Sequence, residues 1–301
     1  MRTIFCETLV KHSNDPNFVF LTGDLGYMAL EPLQKAAGSR FINAGLSEQN
    51  MISVAAGLAS QGLSPWAYSI APFIYARPLE QIRNDVCLHD LPVKLVGNGG
   101  GYGYGVMGAT HHAIEDYGIL LSLLNMHVFV PAFSADIAPI VEKLLKLDHP
   151  SYLRLGRDEK PKNFELPSYA SWRNILKGEG PTVLVVGPLA GEILNSFNGL
   201  SSHDRPSLWI LSELPVTPQL ISSEFKADLK RSGHLIIVEE HVAHGGVGEM
   251  LSRILLLAGE TPRKFSHHCA KGYISGYYGS QSFHRKESGL TAEAILKELK
   301  K

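Results

Sequence analysis

Short apolar runs with strand character recur along this chain, and the gaps between them have the length of a helix. The first series is Phe18-Val19-Phe20-Leu21, Trp66-Ala67-Tyr68-Ser69-Ile70, Val93-Lys94-Leu95-Val96 and His127-Val128-Phe129-Val130. Segments of helical length lie at 49–59, 79–88 and 135–147. Continuous apolar strands suit a sheet covered on both faces, and parallel neighbours need a helical crossover between them. The alternation therefore predicts β-α-β units and a mainly parallel sheet. A second series at Thr182–Val186, 208–211 and 235–238 predicts another α/β unit. Between the two, the chain turns polar and irregular, with Lys160-Pro161-Lys162-Asn163 and Lys177-Gly178-Glu179-Gly180-Pro181, which reads as a linker. The expected layout is one α/β domain over 1–158, a linker over 159–180 and a second α/β domain over 181–301, in keeping with a length that exceeds one ordinary domain.

Charge excludes several function classes. Lys and Arg number 28 against 29 Asp and Glu, with no block of like sign, so the chain offers no nucleic-acid or anionic-membrane surface. Three widely spaced cysteines, Cys6, Cys87 and Cys269, fit neither a disulfide framework nor a zinc site. With Lys11, His12 and Asp15 close behind a short apolar stretch, and no apolar run long enough to span a bilayer, the expected setting is the cytoplasm.

The helix at 51–59 reads Met-Ile-Ser-Val-Ala-Ala-Gly-Leu-Ala, apolar around nearly its whole circumference, which predicts burial on all sides. Ser47 is a natural N-cap and puts Glu48 in the first turn. An acid there complements the helix dipole. At the mouth of a buried helix it also loses solvent, which favours sharing a proton with a ring nitrogen.

Gly23-Asp24-Leu25-Gly26 followed by Arg40-Phe41-Ile42-Asn43-Ala44-Gly45-Leu46-Ser47-Glu48-Gln49-Asn50-Met51 resembles the second half of transketolases and deoxyxylulose-phosphate synthases, and the resemblance spans essentially the whole chain. It implies a thiamine-diphosphate enzyme with a pyrimidine-binding domain followed by a transketolase C-terminal-like domain. In that family the glutamate matched by Glu48 hydrogen-bonds N1′ of the aminopyrimidine and favours the tautomer that removes the C2 proton. The cofactor then attacks a ketose carbonyl and acts as electron sink. The same resemblance places Asp24 and Leu25 beside the cofactor.

Other site residues follow from it. In Ala71-Pro72-Phe73-Ile74-Tyr75-Ala76-Arg77, Phe73 is the expected ring that stacks on the aminopyrimidine, with Tyr75 in reserve. Either ring would equally serve as core. Arg77 matches an arginine that binds substrate phosphate in the synthase branch, although a surface ion pair explains it as well. The glycine-rich stretch 97–105 lacks the order of a dinucleotide or P-loop fingerprint. Beyond it, Gly108-Ala109-Thr110-His111 resembles the loop whose histidine contacts the donor sugar, so His111 is the expected catalytic and substrate-binding histidine and His112 its neighbour. Arg2 and Arg157 are anion binders by position.

Two departures concern the substrate. Met107 stands four positions before His111, where transketolases typically carry an acid. A thioether accepts hydrogen bonds only weakly. The phosphate-contacting serine of the family is replaced by Tyr27 or Met28. Farther on, Glu239-Glu240-His241 and Gly245-Gly246-Val247-Gly248 resemble the family's C-terminal domain, with the glycines as turn residues, and 290–295 reads as a capped terminal helix.

The family's magnesium and diphosphate site, Gly-Asp-Gly with a downstream Asn, is not matched by Gly23-Asp24-Leu25. Full-length transketolases are about twice as long. The resemblance thus implies a sister chain that supplies magnesium and diphosphate, a heterotetramer, and an active site between subunits. The expected reaction is transfer of a two-carbon ketol unit from a ketose to an aldehyde. A deoxyxylulose-phosphate-synthase-like or 2-oxo-acid-dehydrogenase β-like subunit is the alternative within thiamine enzymes. A non-catalytic scaffold is the alternative outside them, and an intact Glu48 argues against it.

Overall fold

The computed structural model describes residues 1–197 and 199–300. Strands β1 (Phe18–Thr22), β2 (Phe41–Asn43), β3 (Ser64–Ile70), β4 (Lys94–Asn98), β5 (His127–Phe129) and β6 (Ser151–Leu155) come first. They are followed by β7 (Trp172–Leu176), β8 (Thr182–Val186), β9 (Ser207–Leu211), β10 (Glu213–Leu214), β11 (His234–Glu239) and β12 (Lys264–His268). Seven of them form one sheet in the order β10-β5-β6-β4-β3-β1-β2 and five form a second in the order β12-β11-β8-β9-β7. Both sheets are parallel apart from one antiparallel edge each, β10 on β5 and β7 on β9. β1, β6, β8 and β9 are buried along their whole length, as strands covered on both faces must be.

Strand β7 lies inside the stretch 159–180 expected to be a linker. Its Trp172-Arg173-Asn174-Ile175-Leu176 carries too few apolar residues in a row to stand out, because it borders the second sheet as an antiparallel edge. β10 is the second element that periodicity misses. It is two residues long, yet it carries the chain back from the second sheet to cover the β5 edge of the first, pairing Leu214 with Val128.

The helix Glu48–Ser60 runs where expected, but it is buried on one side only. Met51, Ile52, Ala55, Ala56 and Ala59 face the core, while Gln49, Asn50, Ser53, Val54, Gly57 and Ser60 are exposed. Alanine, glycine and serine carry little hydropathic contrast, so composition cannot tell its two faces apart. Ser47 is at the N-cap, but its hydroxyl makes no capping hydrogen bond. The segment expected as a helix at 79–88 is a single α-turn, Leu79–Gln81, that widens into a π-helix at Ile82–Cys87, where Asn125 donates to the Cys87 carbonyl at 3.1 Å. The terminal helix Ala292–Leu299 is capped by Thr291, which accepts from the Ala294 N–H at 3.3 Å.

Candidate active site

The C-terminal ends of the parallel strands of the first sheet collect the predicted residues, the usual place for a site in an open α/β sheet. Glu48 opens the helix that follows β2. The short helix Ala71–Tyr75 follows β3 and carries Phe73, and the glycine-rich loop follows β4 and leads to His111. Pro72 in the first turn starts the helix Ala71–Tyr75 immediately at the strand end, which sets the direction of Phe73.

Glu48 is only 5% exposed, and its Oε1 accepts from Arg77 Nη1 at 2.7 Å. The Arg77 guanidinium carbon in turn sits 3.7 Å above the centre of the Phe73 ring. The edge of His111 meets that ring at 5.1 Å, and His111 Nδ1 is 3.0 Å from the Thr110 hydroxyl. Glu48, Phe73, Arg77 and His111 thus form one connected cluster. Leu46, Ser47, Glu48, Gln49, Asn50 and Arg77 line a cleft of about 550 Å³. The cluster thus brings an aromatic face and a buried carboxylate acceptor against the same guanidinium, that of Arg77.

The remaining predictions divide. Tyr75 is 4% exposed, belongs to the core and turns its hydroxyl towards Glu115, so the reserve stacking ring is instead part of the wall behind the site. His112 turns inward. Its Nε2 faces the Gly105 carbonyl at 2.8 Å, where it must donate, and its Nδ1 lies 2.9 Å from the Tyr273 hydroxyl, so neither nitrogen is left for a ligand. Desolvation holds His112 below the usual histidine range. Asp24 and Leu25 line a different cleft of about 220 Å³ with Tyr27, Glu31 and Asn43, separated from Glu48 by the turn at Gly45. Asp24 Oδ1 accepts from Asn43 Nδ2 at 3.2 Å. Arg2 opens the first helix, and its charge partly offsets the upward push that burial gives the phenols of Tyr68 and Tyr104. Arg157 is exposed on the loop after β6. Met107 is 54% exposed at the end of a 3₁₀ turn, Gly105–Met107.

Two site residues were not anticipated. Tyr104 lies 5.9 Å from the His111 ring, and its hydroxyl accepts from Asn98 Nδ2 at 2.8 Å. Gly99 makes this possible. Its φ is +77°, and a Cβ there would run into the Tyr104 ring. An aromatic alternating with glycines was the available signal.

Behind the site, the glycine loop is clamped by the second sheet. Arg154 on β6 pairs with Asp116 at 3.0 Å and donates to the carbonyls of Ala113 and Glu240, each at 2.8 Å. The Glu240 carboxylate accepts from the Tyr102 N–H at 2.6 Å, from Gln281 at 2.9 Å and from Arg285 Nε at 2.8 Å. Glu239 accepts from Val247 N and Gly248 N, both at 2.8 Å, from His267 and from the Tyr117 hydroxyl. Burial raises the Glu239 carboxyl, but these donors and His241 outweigh it and hold it below the usual range. The acid pair and histidine therefore tie the two sheets together, with His241 stacked on Tyr117 at 3.8 Å.

Residues 1–162 match the family model described as "Transketolase, pyrimidine binding domain". The chain belongs to the transketolase family. It is 29% identical to one subunit of the apulose-4-phosphate transketolase of Actinobacillus succinogenes, over 89% of this chain and 86% of that protein. A putative transketolase C-terminal section of Methanocaldococcus jannaschii is also 29% identical, over 99% and 95% of the two chains. The 1-deoxy-D-xylulose-5-phosphate synthase of Myxococcus xanthus is 28% identical over 94% of this chain but only 48% of its own length. Among solved structures, a split gene transketolase, described as an inactive beta4 tetramer, superposes with a TM-score of 0.82 at 28% identity, covering 99% of this chain and 96% of that one.

Proposed function

We propose that this chain is the pyrimidine-binding subunit of a split transketolase, transferring a two-carbon ketol unit from a ketose to an aldehyde acceptor in the cytoplasm. The observation that carries the reading is the Glu48 carboxylate, buried at a helix mouth and sharing one cluster with the Phe73 ring and His111. Thiamine diphosphate, when bound, supplies the nucleophilic carbon and the electron sink.

The chain's own residues do the rest. Glu48 would hold the pyrimidine edge by sharing a proton between its carboxylate and the ring nitrogen. A buried carboxylate is suited to this because its low-dielectric setting strengthens every such bond. Phe73 supplies the stacking face and excludes water. His111, with Thr110 beside Nδ1, presents Nε2 towards the substrate and hands a proton to or from its oxygens. Tyr104, fixed by Asn98, is a second aromatic neighbour of that imidazole. Met107, exposed four positions before His111, makes no strong hydrogen bond to a sugar hydroxyl, so the donor differs in hydroxyl pattern from those bound through an acid there.

Among the described residues no group of three or more His, Cys, Asp or Glu could hold a metal ion. Magnesium and the diphosphate are assigned to a sister chain, in a heteromer with the site between subunits. Two relatives that cover most of this chain are named as a transketolase subunit and as a transketolase C-terminal section, and this supports the assignment. The test is reconstitution with a similar-sized chain carrying Gly-Asp-Gly and a downstream Asn. Turnover should need both chains, thiamine diphosphate and magnesium, and Glu48→Gln should lower it roughly a hundredfold or more. Robust turnover by this chain alone would overturn the split assignment.

A further inference from the structure

Arg77 holds the two groups that the proposed cofactor needs. Its Nη1 donates to Glu48 at 2.7 Å while its guanidinium lies 3.7 Å over the Phe73 ring. A guanidinium is flat, carries N–H donors along its edge and stacks on aromatic faces. An aminopyrimidine protonated or polarised at its ring nitrogen has the same outline: a flat face for Phe73 and an N–H edge for Glu48. The two cannot share this space, since a ring resting on Phe73 and bonded to Glu48 would fill the volume of the guanidinium.

We propose that Arg77 is a built-in stand-in for the aminopyrimidine, holding Glu48 and Phe73 in register and swinging aside as the heterocycle seats. The inference rests on the pyrimidine-site reading above. The fold makes the movement easy. Arg77 sits between the short helices Ala71–Tyr75 and Leu79–Gln81, and its side chain is 47% exposed against 5% for Glu48. Its backbone carbonyl stays tethered by Gln49 at 3.4 Å, so the side chain can leave without the turn moving. A buried carboxylate without a partner is costly, and Arg77 supplies that partner. The same pairing weakens cofactor binding, because the competent arrangement is only part of the population.

Isothermal titration of the complex reconstituted with the sister chain, using 4-amino-5-hydroxymethyl-2-methylpyrimidine, tests this with wild type, Arg77→Gln, Arg77→Lys and Glu48→Gln in this subunit. Arg77→Gln should bind the pyrimidine roughly tenfold more tightly than wild type. Arg77→Lys keeps the charge but not the flat face, and should fall between the two. Millimolar methylguanidinium should compete with the pyrimidine in Arg77→Gln by taking the vacated place. Equal or weaker pyrimidine binding by Arg77→Gln and Arg77→Lys, with binding still lost in Glu48→Gln, overturns the stand-in while leaving the pyrimidine site intact. Binding that survives Glu48→Gln unchanged, or is absent from every protein, overturns the pyrimidine-site reading and the stand-in together.

Discussion

Two clusters of charge lie within one loop's length of each other, and they are built on opposite plans. At the seam between the sheets, Arg154, Asp116, Glu240, Arg285 and Glu239 are all at most 5% exposed and meet partners supplied by the chain itself. At the cleft, Glu48 is as deeply buried but has a partner, Arg77, that is half in solvent. A charge taken from water must be paired, and the seam pairs it permanently while the cleft pairs it through a side chain free to leave. Permanence suits a joint that fixes the glycine loop, and a replaceable partner suits a binding site.

Breaking the seam should cost the most. Arg285→Met leaves Glu240 and Glu159 without their shared cation, and the expected loss is about 3–5 kcal/mol in unfolding free energy by denaturant titration. A loss below about 1 kcal/mol would mean that the seam is not what joins the sheets. The cleft should behave conversely. Glu48→Gln in the reconstituted enzyme should lower turnover roughly a hundred- to a thousandfold, about 3–4 kcal/mol in activation free energy. Its melting temperature should stay near that of wild type, because the amide keeps a hydrogen bond to Arg77. If stability fell as steeply as turnover, the two clusters would be alike.

The contrast also marks what the sequence could reveal. Glu48, Phe73 and His111 were legible because each follows a strand end in a short local motif, so spacing along the chain maps directly onto spacing in the cleft. Tyr75 was not, since the two rings are two residues apart on a tight helical turn and only packing decides which faces inward. The seam was half legible. Glu239-Glu240-His241 stands out as a motif, but its partners Arg154 and Tyr102 come from the other domain, and no local pattern links residues so far apart. β7 and β10 escaped for the same reason: each is defined by a partner strand, not by its own residues.

The glycine loop joins the two regions, and a single methyl group should separate its roles. Gly101 has φ +63°, and a Cβ there would lie 2.7 Å from the Glu240 carboxylate. Gly101→Ala should cost about 2 kcal/mol through strain and the displaced carboxylate. Because the loop carries Tyr104 and His111, KM for the donor should rise along with it. A change in stability with no change in KM would show that the seam holds the sheets together without positioning the site.

The smallest expected effect is a pH dependence to which the histidines at the seam contribute. Desolvation holds His112 and His241 below the ordinary histidine value near 6.5. Below that value the unfolded chain takes up protons that the folded chain refuses, so stability is full above about pH 6.5 and falls as the solution is acidified through it. Glu239, also depressed, contributes only at lower pH, below the ordinary carboxylate value. Around His112 stand His284, Glu240 and His111, with Tyr273 and Gly105 at its nitrogens. His112→Gln can still donate to the Gly105 carbonyl and accept from Tyr273, but it does not titrate. Calorimetric melting from about pH 7.5 to about 5.5 should therefore decline less steeply for His112→Gln than for wild type.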